Sequence, residues 1–168
     1  MNRVFVIADT HFGHAKILEY EPEHRLFSSI EDHDAELVYR WNFTVKKSDT
    51  VWHLGDVLLG TKNFEILREL NGIKNLVLGN HDYPVIKYLE YFNKVLGSVQ
   101  LHNCILTHIP VAESQFSRFK ANIHGHLHSN TLEDKRYYNV SAERLNLTPK
   151  PLRDVIAEID GFIENRNR

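Results

Sequence analysis

Five short segments of the sequence place metal-binding side chains directly after runs of apolar residues. They are Asp9-Thr10-His11, His53-Leu54-Gly55-Asp56, Gly79-Asn80-His81-Asp82, Thr107-His108 and His124-Gly125-His126-Leu127-His128. Imidazole and carboxylate groups bind divalent cations, and imidazole also transfers protons near neutral pH. None of the five segments contains a lysine or an arginine, which would repel a cation. The pattern indicates a metal site built from nitrogen and oxygen donors.

Each segment taken by itself also has a structural explanation. Asp9-Thr10 is suited to capping a helix, and Gly55-Asp56 and Gly79-Asn80 are common turn dipeptides. A single histidine such as His108 is more often an interior hydrogen-bonding residue than a ligand. His126 and His128 differ, because an extended chain points side chains two residues apart to the same face.

The donors of the five segments together exceed what one ion needs. We expect two divalent ions that share a carboxylate. Seven side chains would hold them: Asp9, His11, Asp56, Asn80, His108, His126 and His128. Two ions about 3.5–4 Å apart hydrolyse phosphate esters, because together they lower the pKa of a shared water and hold the phosphoryl oxygens. Without thiolates, this donor set suits manganese first, with iron, nickel or zinc as alternatives.

His81 is the candidate proton donor for such a reaction. It follows Asn80 and precedes Asp82, whose carboxylate is predicted to orient the imidazole and to raise its basicity. In that arrangement His81 could protonate a leaving alkoxide. A supporting structural role for His81 is the alternative.

Alternating strands and helices must bring these segments together. Apolar runs predict buried strands at Val4–Ala8, Val51–Leu54, Leu76–Leu78 and Cys104–Leu106. Helices are predicted from about Glu31 to Phe43, from Phe64 to Leu70, and from Pro151 until Gly161. Ligands of open α/β sheets bind at the carboxyl ends of strands, where each of the five segments would lie. We expect a single α/β domain over residues 1–168.

Composition narrows the class of protein. The 168 residues are 42% apolar and 25% charged, as in a globular domain that buries its own core. A net charge of −2 argues against a broad surface for duplex nucleic acid. Cys104 is the one cysteine, so neither a disulfide nor a thiolate metal site can form. Too few apolar residues follow Met1 for a signal peptide or a membrane span, which predicts a cytoplasmic location and no membrane partner.

The five segments resemble the signature of the calcineurin-like metallophosphoesterase superfamily. That signature runs Asp-x-His, Gly-Asp, Gly-Asn-His-Asp/Glu, a lone His and Gly-His-x-His, and all five blocks occur here in order between Asp9 and His128. The sequence is most similar to the small bacterial and phage phosphoesterases of that superfamily, on the stretches DTHFGH, WHLGDV, LNGIKNLVLGNHD and IHGHLH. The resemblance implies a four-layer α/β/β/α sandwich of two mixed sheets with flanking helices.

The resemblance also implies a role for each residue of the dinuclear site. Asp9, His11 and His128 would hold one ion, Asn80, His108 and His126 the other, and Asp56 would bridge them. A hydroxide between the ions would be the nucleophile. His81 matches the catalytic histidine, with Asp82 beside it, and His14 matches a histidine that meets the substrate phosphate; opening a helix is the alternative for His14. Substrate would therefore contact His14, Asn80 and His81.

One departure from the superfamily pattern bears on the substrate. Serine/threonine phosphatases of the superfamily follow the second block with an arginine that grips phosphate, whereas Asp56 is followed by Val57, Leu58 and Leu59. We therefore expect a phosphodiesterase that acts on a small phosphodiester, such as a nucleotide or cyclic nucleotide. Alternatives are a phosphomonoesterase or a nuclease on the same centre, and a metal-binding interaction module without activity.

Several other charged residues have less clear roles in the sequence. Arg25 is expected to be a solvated surface charge, with a role near the substrate as the alternative, and His33 shows no pattern of partners. His124 could support the metal site or belong to the core. A nuclease would need a basic groove, to which four residues could contribute: Arg118, Lys120, Arg136 and Arg144.

Overall fold

Two mixed β-sheets form the frame of the protein in a computed structural model that describes residues 2–60 and 63–166. The strands are β1 Val4–Ile7, β2 Thr50–His53, β3 Ile73–Val77, β4 Lys94–Leu96, β5 Val99–Leu101, β6 Cys104–Leu106, β7 Ala121–His124, β8 Tyr137–Asn139 and β9 Lys150–Pro151. The α-helices are α1 Ile17–Tyr20, α2 Ile30–Thr44, α3 Ile66–Glu69, α4 Val85–Tyr88 and α5 Leu152–Arg166. Two short 3₁₀ helices cover Glu113–Ser117 and Ala142–Leu145.

The first sheet has the strand order β4-β3-β2-β1-β9, and the second has the order β5-β6-β7-β8. In the first sheet β1 to β4 are parallel and β9 runs antiparallel to β1. In the second sheet β6, β7 and β8 are parallel and β5 is antiparallel. Two mixed sheets flanked by helices confirm the expected layered α/β sandwich. Because the central strands are parallel, their carboxyl ends meet at one edge of each sheet.

Residues of the first sheet alternate between two separate apolar cores. Phe5 and Ile7 of β1 pack with α2, whereas Val6 and Ala8 pack with the second sheet and α5. The neighbouring strands continue this alternation, since successive side chains of a strand point to opposite faces. The sheet is therefore covered on both sides, as the near-continuous apolar runs predict.

Helix α2 closely matches the predicted segment. Its amino end is capped by the hydroxyl of Ser29, which accepts a hydrogen bond from the Asp32 amide at 3.1 Å. Leu37 and Trp41 on its inner face are buried against the first sheet. The Trp41 indole also donates to the carbonyl of Asn71 at 2.9 Å, so this large side chain has its polar atom satisfied.

Two of the predicted helices have other boundaries in the structure. The helix predicted from Phe64 to Leu70 is limited to the four residues of α3. Pro151 does not begin the last helix; it pairs with Phe5 in strand β9, and α5 then continues through Gly161 to Arg166. The helix does not stop at Gly161 because the apolar stripe continues: Ile163 packs on the core between the sheets. Among the described residues, no helix is long and apolar enough to cross a membrane.

Candidate metal centre

Two groups of side chains meet at the carboxyl ends of the strands. Asp9, His11 and His128 offer ligand atoms that all lie within 4.8 Å of one another. Asp56, His108 and His126 form a second group with the same property. The groups adjoin, since His11 Nε2 lies 3.7 Å from Asp56 Oδ2. Six of the seven predicted ligands therefore converge, with Asp56 between the two groups.

The seventh predicted ligand, Asn80, joins the second group. Its Oδ1 lies 2.9 Å from His108 Nε2, which is also 3.2 Å from His126 Nδ1 and 3.4 Å from Asp56 Oδ2. His108 Nδ1 donates to the carbonyl of Leu54 at 2.8 Å. That hydrogen bond fixes the tautomer and leaves Nε2 as the atom that faces the other donors.

The backbone of these loops adopts an uncommon conformation. Left-handed φ values occur at five of the seven predicted ligands: Asp9 at +55°, His11 at +50°, Asp56 at +54°, His126 at +69° and His128 at +51°. Non-glycine residues rarely adopt this region, although Asp and His tolerate it better than most. Such strain persists only where surrounding contacts hold it, and it is typical of functional sites. Here it turns each loop so that its side chain points toward the common centre.

Glycines in the motifs make room for two of the carboxylates. A Cβ on Gly79 would lie 2.2 Å from Asp56 Oδ1, and a Cβ on Gly125 would lie 2.5 Å from Asp9 Oδ2. Both distances are far inside any real carbon–oxygen contact. The glycines of the Gly-Asn-His-Asp and Gly-His-x-His blocks therefore allow the backbone of one loop to approach the acidic side chain of another.

The protonation and hydrogen bonding of the first group fit a bound cation. Burial lowers the pKa of His11 to about 2, so its imidazole is neutral and has a lone pair to give. Burial also raises the pKa of Asp9 to about 6. Within the described residues, Asp9 Oδ1 and both ring nitrogens of His11 are buried without a hydrogen-bond partner. Unsatisfied buried acceptors are costly, and a divalent cation would satisfy the Asp9 oxygen and the one nitrogen of His11 that carries a lone pair.

Asp56 differs from Asp9 in its charge state. Burial would raise its pKa, but hydrogen bonding and charge from His108, together with the backbone amide of His81 at 2.9 Å, hold the pKa well below its usual range. Asp56 is therefore a carboxylate at neutral pH. Burial lowers the pKa of His108, yet Asp56 and Asp9 outweigh that effect and the net shift is upward.

His81 and His14 lie on the open side of the two groups. The side chain of His81 is 44% exposed, and its Nε2 is 3.9 Å from Asp56 Oδ2. The ring centroids of His81 and His14 lie 5.7 Å and 5.3 Å from that of His11. Burial, followed by the charge of His81, lowers the pKa of His14. The exposed ring of His81 can therefore reach a molecule that approaches the predicted ligands from solvent, and the half-buried ring of His14 adjoins the same ligand, His11.

The expected pairing of Asp82 with the His81 ring was wrong. Asp82 is buried, and its carboxylate accepts hydrogen bonds from the backbone amides of Asp56 at 3.0 Å, Val57 at 2.9 Å and Gly79 at 2.8 Å. Three amides of two separate loops occupy this carboxylate. Asp82 thus ties the Gly-Asp loop to the Gly-Asn-His-Asp loop. Among the hydrogen bonds of the described residues, none joins its carboxylate to the ring of His81, although the two residues are neighbours in sequence.

Arg25 was also wrongly predicted, since it is not a solvated charge. Its side chain is fully buried, as is that of Glu143, which it contacts at 2.6 Å. His33, which lacked any pattern in the sequence, is buried beside Arg25 at 2.7 Å. Sequence inspection did not single out Glu143 at all, and no local signal marks it. His124 is buried at the end of β7, where its Nδ1 donates to the Gly125 carbonyl at 2.8 Å.

Two of the four cations considered for a nucleic-acid groove are paired with acids instead. Lys120 contacts Asp160 at 2.6 Å, and Arg136 contacts Glu113 at 3.0 Å as well as Asp134. These pairs neutralise the positive charge locally. They weaken the hypothesis of a basic groove for single strands.

Comparisons with known proteins agree with this architecture. A family model described as calcineurin-like phosphoesterase matches residues 2–160. An uncharacterized protein of Methanocaldococcus jannaschii is 33% identical over 170 residues, which cover 95% of this chain and 92% of that protein. The crystal structure of a protein of unknown function from Aquifex aeolicus has a TM-score of 0.77 and 26% identity, covering 94% of this chain and 99% of that one.

A more distant structure shares the fold alone. The crystal structure of Pseudomonas putida nuclease MPE has a TM-score of 0.50 and 18% identity, covering 76% of this chain and 62% of that one. The family model spans nearly the whole chain, and the residues of all five motifs lie within it. The chain therefore belongs to the calcineurin-like phosphoesterase family, a family of metal-dependent hydrolases that act on phosphoric ester bonds.

Proposed function

We propose that the protein is a phosphodiesterase that hydrolyses small phosphodiesters of the nucleotide or cyclic nucleotide type at a dinuclear metal centre. The observation that carries this proposal is the approach of two groups of metal-binding side chains, with Asp56 between them. One ion would lie among Asp9, His11 and His128. The other would lie among Asn80, His108 and His126, with Asp56 shared by both.

The donor set determines which ions fit. Imidazole, carboxylate and amide groups without thiolate suit manganese, which we propose, and also iron, nickel or zinc. When bound, two such ions supply positive charge to the phosphoryl oxygens and lower the pKa of the water that they share. Neutral imidazoles such as His11 and charged carboxylates such as Asp56 are already in the protonation states that bind cations.

His81 is proposed to protonate the leaving oxygen. Its backbone amide donates to Asp56 Oδ1, which fixes the position of the residue, while its ring extends toward solvent. With its backbone fixed and its ring accessible, His81 can deliver a proton to the alkoxide as the phosphorus–oxygen bond breaks. His14 and Asn80 are proposed to bind the phosphoryl oxygens from either side of His81.

The charges around the site favour a diester over a monoester. A monoester carries a second negative charge, which phosphatases commonly meet with an arginine. Arg25 lies near this site, but its guanidinium already binds Glu143 and the backbone carbonyls of Asp9 and Thr10. It is therefore not available to a phosphate. The positions after Asp56 are held by Val57 and Leu58, both buried in the core. A diester carries one negative charge fewer than a monoester, so it does not need the arginine that is missing at these positions.

An exposed aromatic ring supports a nucleotide-type substrate. Tyr20 is 64% exposed, and its ring centroid lies 6.1 Å from that of His14 in an edge arrangement. Aromatic rings stack on bases irrespective of sequence, at about 1–3 kcal/mol per base. A base joined to a phosphodiester that contacts His14 could therefore rest on Tyr20.

A comparison of substrates tests the proposal. Metal-free protein is loaded with Mn²⁺ and assayed with bis(p-nitrophenyl) phosphate, p-nitrophenyl phosphate and cyclic nucleotides. We expect kcat/KM for the diester to exceed that for the monoester at least tenfold, and Asp56→Asn to abolish both. A preference for the monoester would overturn the diester proposal. Binding of two ions with no hydrolysis of any substrate would indicate a metal-binding module instead.

A further inference from the structure

The buried pair of Arg25 and Glu143 lies directly beneath the proposed metal ligands. Glu143 belongs to the 3₁₀ helix that follows β8, and Arg25 lies in the loop between α1 and α2. Both side chains have no exposed surface. Removing two charges from water is costly, and a buried ion pair is often no more stabilising than apolar residues of the same size. The contacts that this pair makes beyond itself suggest why it is present.

Glu143 contacts a proposed ligand from the second sheet. Its Oε1 accepts hydrogen bonds from Arg25 Nε at 2.8 Å and from His128 Nδ1 at 3.0 Å. Since Nδ1 of His128 donates to Glu143, Nε2 is the nitrogen left to serve the group that His128 forms with Asp9 and His11. A carboxylate that holds the far nitrogen of a metal-binding histidine sets its tautomer and ring orientation.

Arg25 contacts the loop that follows β1 in the first sheet. Its two terminal nitrogens donate to the carbonyl of Asp9 and, at 3.0 Å, to that of Thr10. These are the carbonyls of the segment in which Asp9 and His11 have left-handed φ values. By binding these two oxygens, Arg25 stabilises the strained turn that directs the buried side chains of Asp9 and His11 toward the proposed metal site.

The same network reaches the end of this loop. Arg25 Nη1 lies 2.7 Å from His33 Nε2, and His33 Nδ1 lies 2.9 Å from Asp34 Oδ1. Asp34 Oδ2 in turn accepts the backbone amide of Gly13 at 2.8 Å. The loop between β1 and α1 is therefore held at its beginning by Arg25 and near His14 by Asp34.

We propose that the Arg25–Glu143 pair is a positioning element of the metal centre, which aligns His128 from one sheet with Asp9 and His11 from the other. Glu143 and His128 also lie within 4.8 Å of Glu21, a grouping that could itself hold a cation. Because Arg25 already neutralises Glu143 through two contacts, we assign Glu143 to orienting His128. The inference rests on the proposed function only in taking Asp9, His11 and His128 as ligands of one ion.

Metal affinity tests the inference separately from activity. Arg25→Met combined with Glu143→Met replaces the pair by apolar side chains, and Glu143→Gln removes the charge at constant size. The control is Lys120→Met combined with Asp160→Leu, which deletes an ion pair between the residue that precedes β7 and helix α5. Each protein is stripped of metal, checked by circular dichroism, and titrated with Mn²⁺ against a chelating dye.

We expect the wild type and the control to bind two ions with equal affinity. In the Arg25/Glu143 double variant one of the two ions should bind 10- to 100-fold more weakly, as is usual when a partner of a ligand is lost. Glu143→Gln should weaken the same ion by a smaller factor. If the double variant does not fold, Glu143→Gln decides the matter by the same measurement.

The outcomes separate the two proposals. Wild-type protein that binds fewer than two ions refutes the dinuclear site of the proposed function. The positioning role alone is refuted if the wild type binds two ions and the variants bind both ions equally tightly. The variants concerned are Glu143→Gln and, where it folds, the double variant. Equal weakening in the Lys120/Asp160 control would also refute it, because the effect would then reflect general destabilisation.

Discussion

The glycine before Asn80 gives the sharpest prediction about the site. In Gly79→Ala the new Cβ would lie 2.2 Å from Asp56 Oδ1 and 2.4 Å from the Asp56 amide nitrogen. Asp56 cannot move aside freely, because its amide is bound to Asp82 and its Oδ1 to the His81 amide. An ordinary contact begins at 3.4 Å, so the two loops must separate by about 1 Å.

A displacement of that size should be much more damaging to activity than to folding. A shift of about 1 Å at a reacting centre costs about 100-fold in rate, or about 2.7 kcal/mol in the barrier. We therefore expect kcat/KM for bis(p-nitrophenyl) phosphate with Mn²⁺ to fall about 100-fold or more, with loss of bound metal measured by elemental analysis. Circular dichroism should show that the sheets are retained.

The control is an alanine at a glycine outside the motifs. Gly97 has no heavy atom within 4 Å of its potential Cβ, so Gly97→Ala should keep wild-type rate and metal content. The reasoning is refuted if Gly79→Ala binds two ions and hydrolyses the diester within threefold of wild type. It is also refuted if Gly97→Ala is impaired to the same extent.

Three further predictions follow from individual residues. His81→Asn should lower kcat about 10²- to 10⁴-fold while metal content stays the same, because the ring is exposed and the residue is proposed to act on protons; a variant with nearly normal kcat in steady-state assays would exclude that role. Asp49→Asn should lower the free energy of unfolding at pH 7 by about 1–3 kcal/mol, since the carboxylate accepts hydrogen bonds from Arg3 and Lys46. Although burial opposes them, these bonds lower the pKa of Asp49 from 3.8 to about 2, so its contribution is complete above pH 3.8 and is lost as the pH falls toward 2. Urea unfolding should then give a difference between wild type and variant that shrinks over this interval, and a constant difference would contradict the assignment. Gly161→Ala should stabilise the protein by about 0.5–1 kcal/mol without changing activity, because Gly161 lies inside α5 with open space around it; a lower melting temperature in calorimetry would contradict this.

Much of the fold could be predicted because the pattern of apolar residues in a strand or helix indicates which of its faces are buried. The run from Val4 to Ala8 predicts a strand covered on both faces, and β1 does alternate between two cores. Helix α2 follows from its apolar spacing, and the structure adds the cap at Ser29. The end of α5 was mispredicted because glycine terminates a helix only where the chain turns away, and packing of Ile163 keeps this helix going.

The types and order of the site residues were determined by the sequence alone. Asp9, Asp56, Asn80, His108 and His126 each follow a strand, and parallel strands bring their carboxyl ends to one edge. Local sequence thus determined both which side chains would meet and at which edge of the sheets. Local sequence could not determine which group each carboxylate would bind. Asp82, for example, binds backbone amides such as that of Gly79 and not the neighbouring imidazole of His81.

The support of the site was decided by tertiary structure. Arg25 and Glu143 are 118 residues apart, and neither lies in a motif. An arginine is ordinarily solvated because burying its charge is costly. Only the folded chain brings a carboxylate, two carbonyls and an imidazole around one guanidinium. These partners compensate the burial of the charge, and the two carbonyls belong to the strained loop of Asp9 and His11.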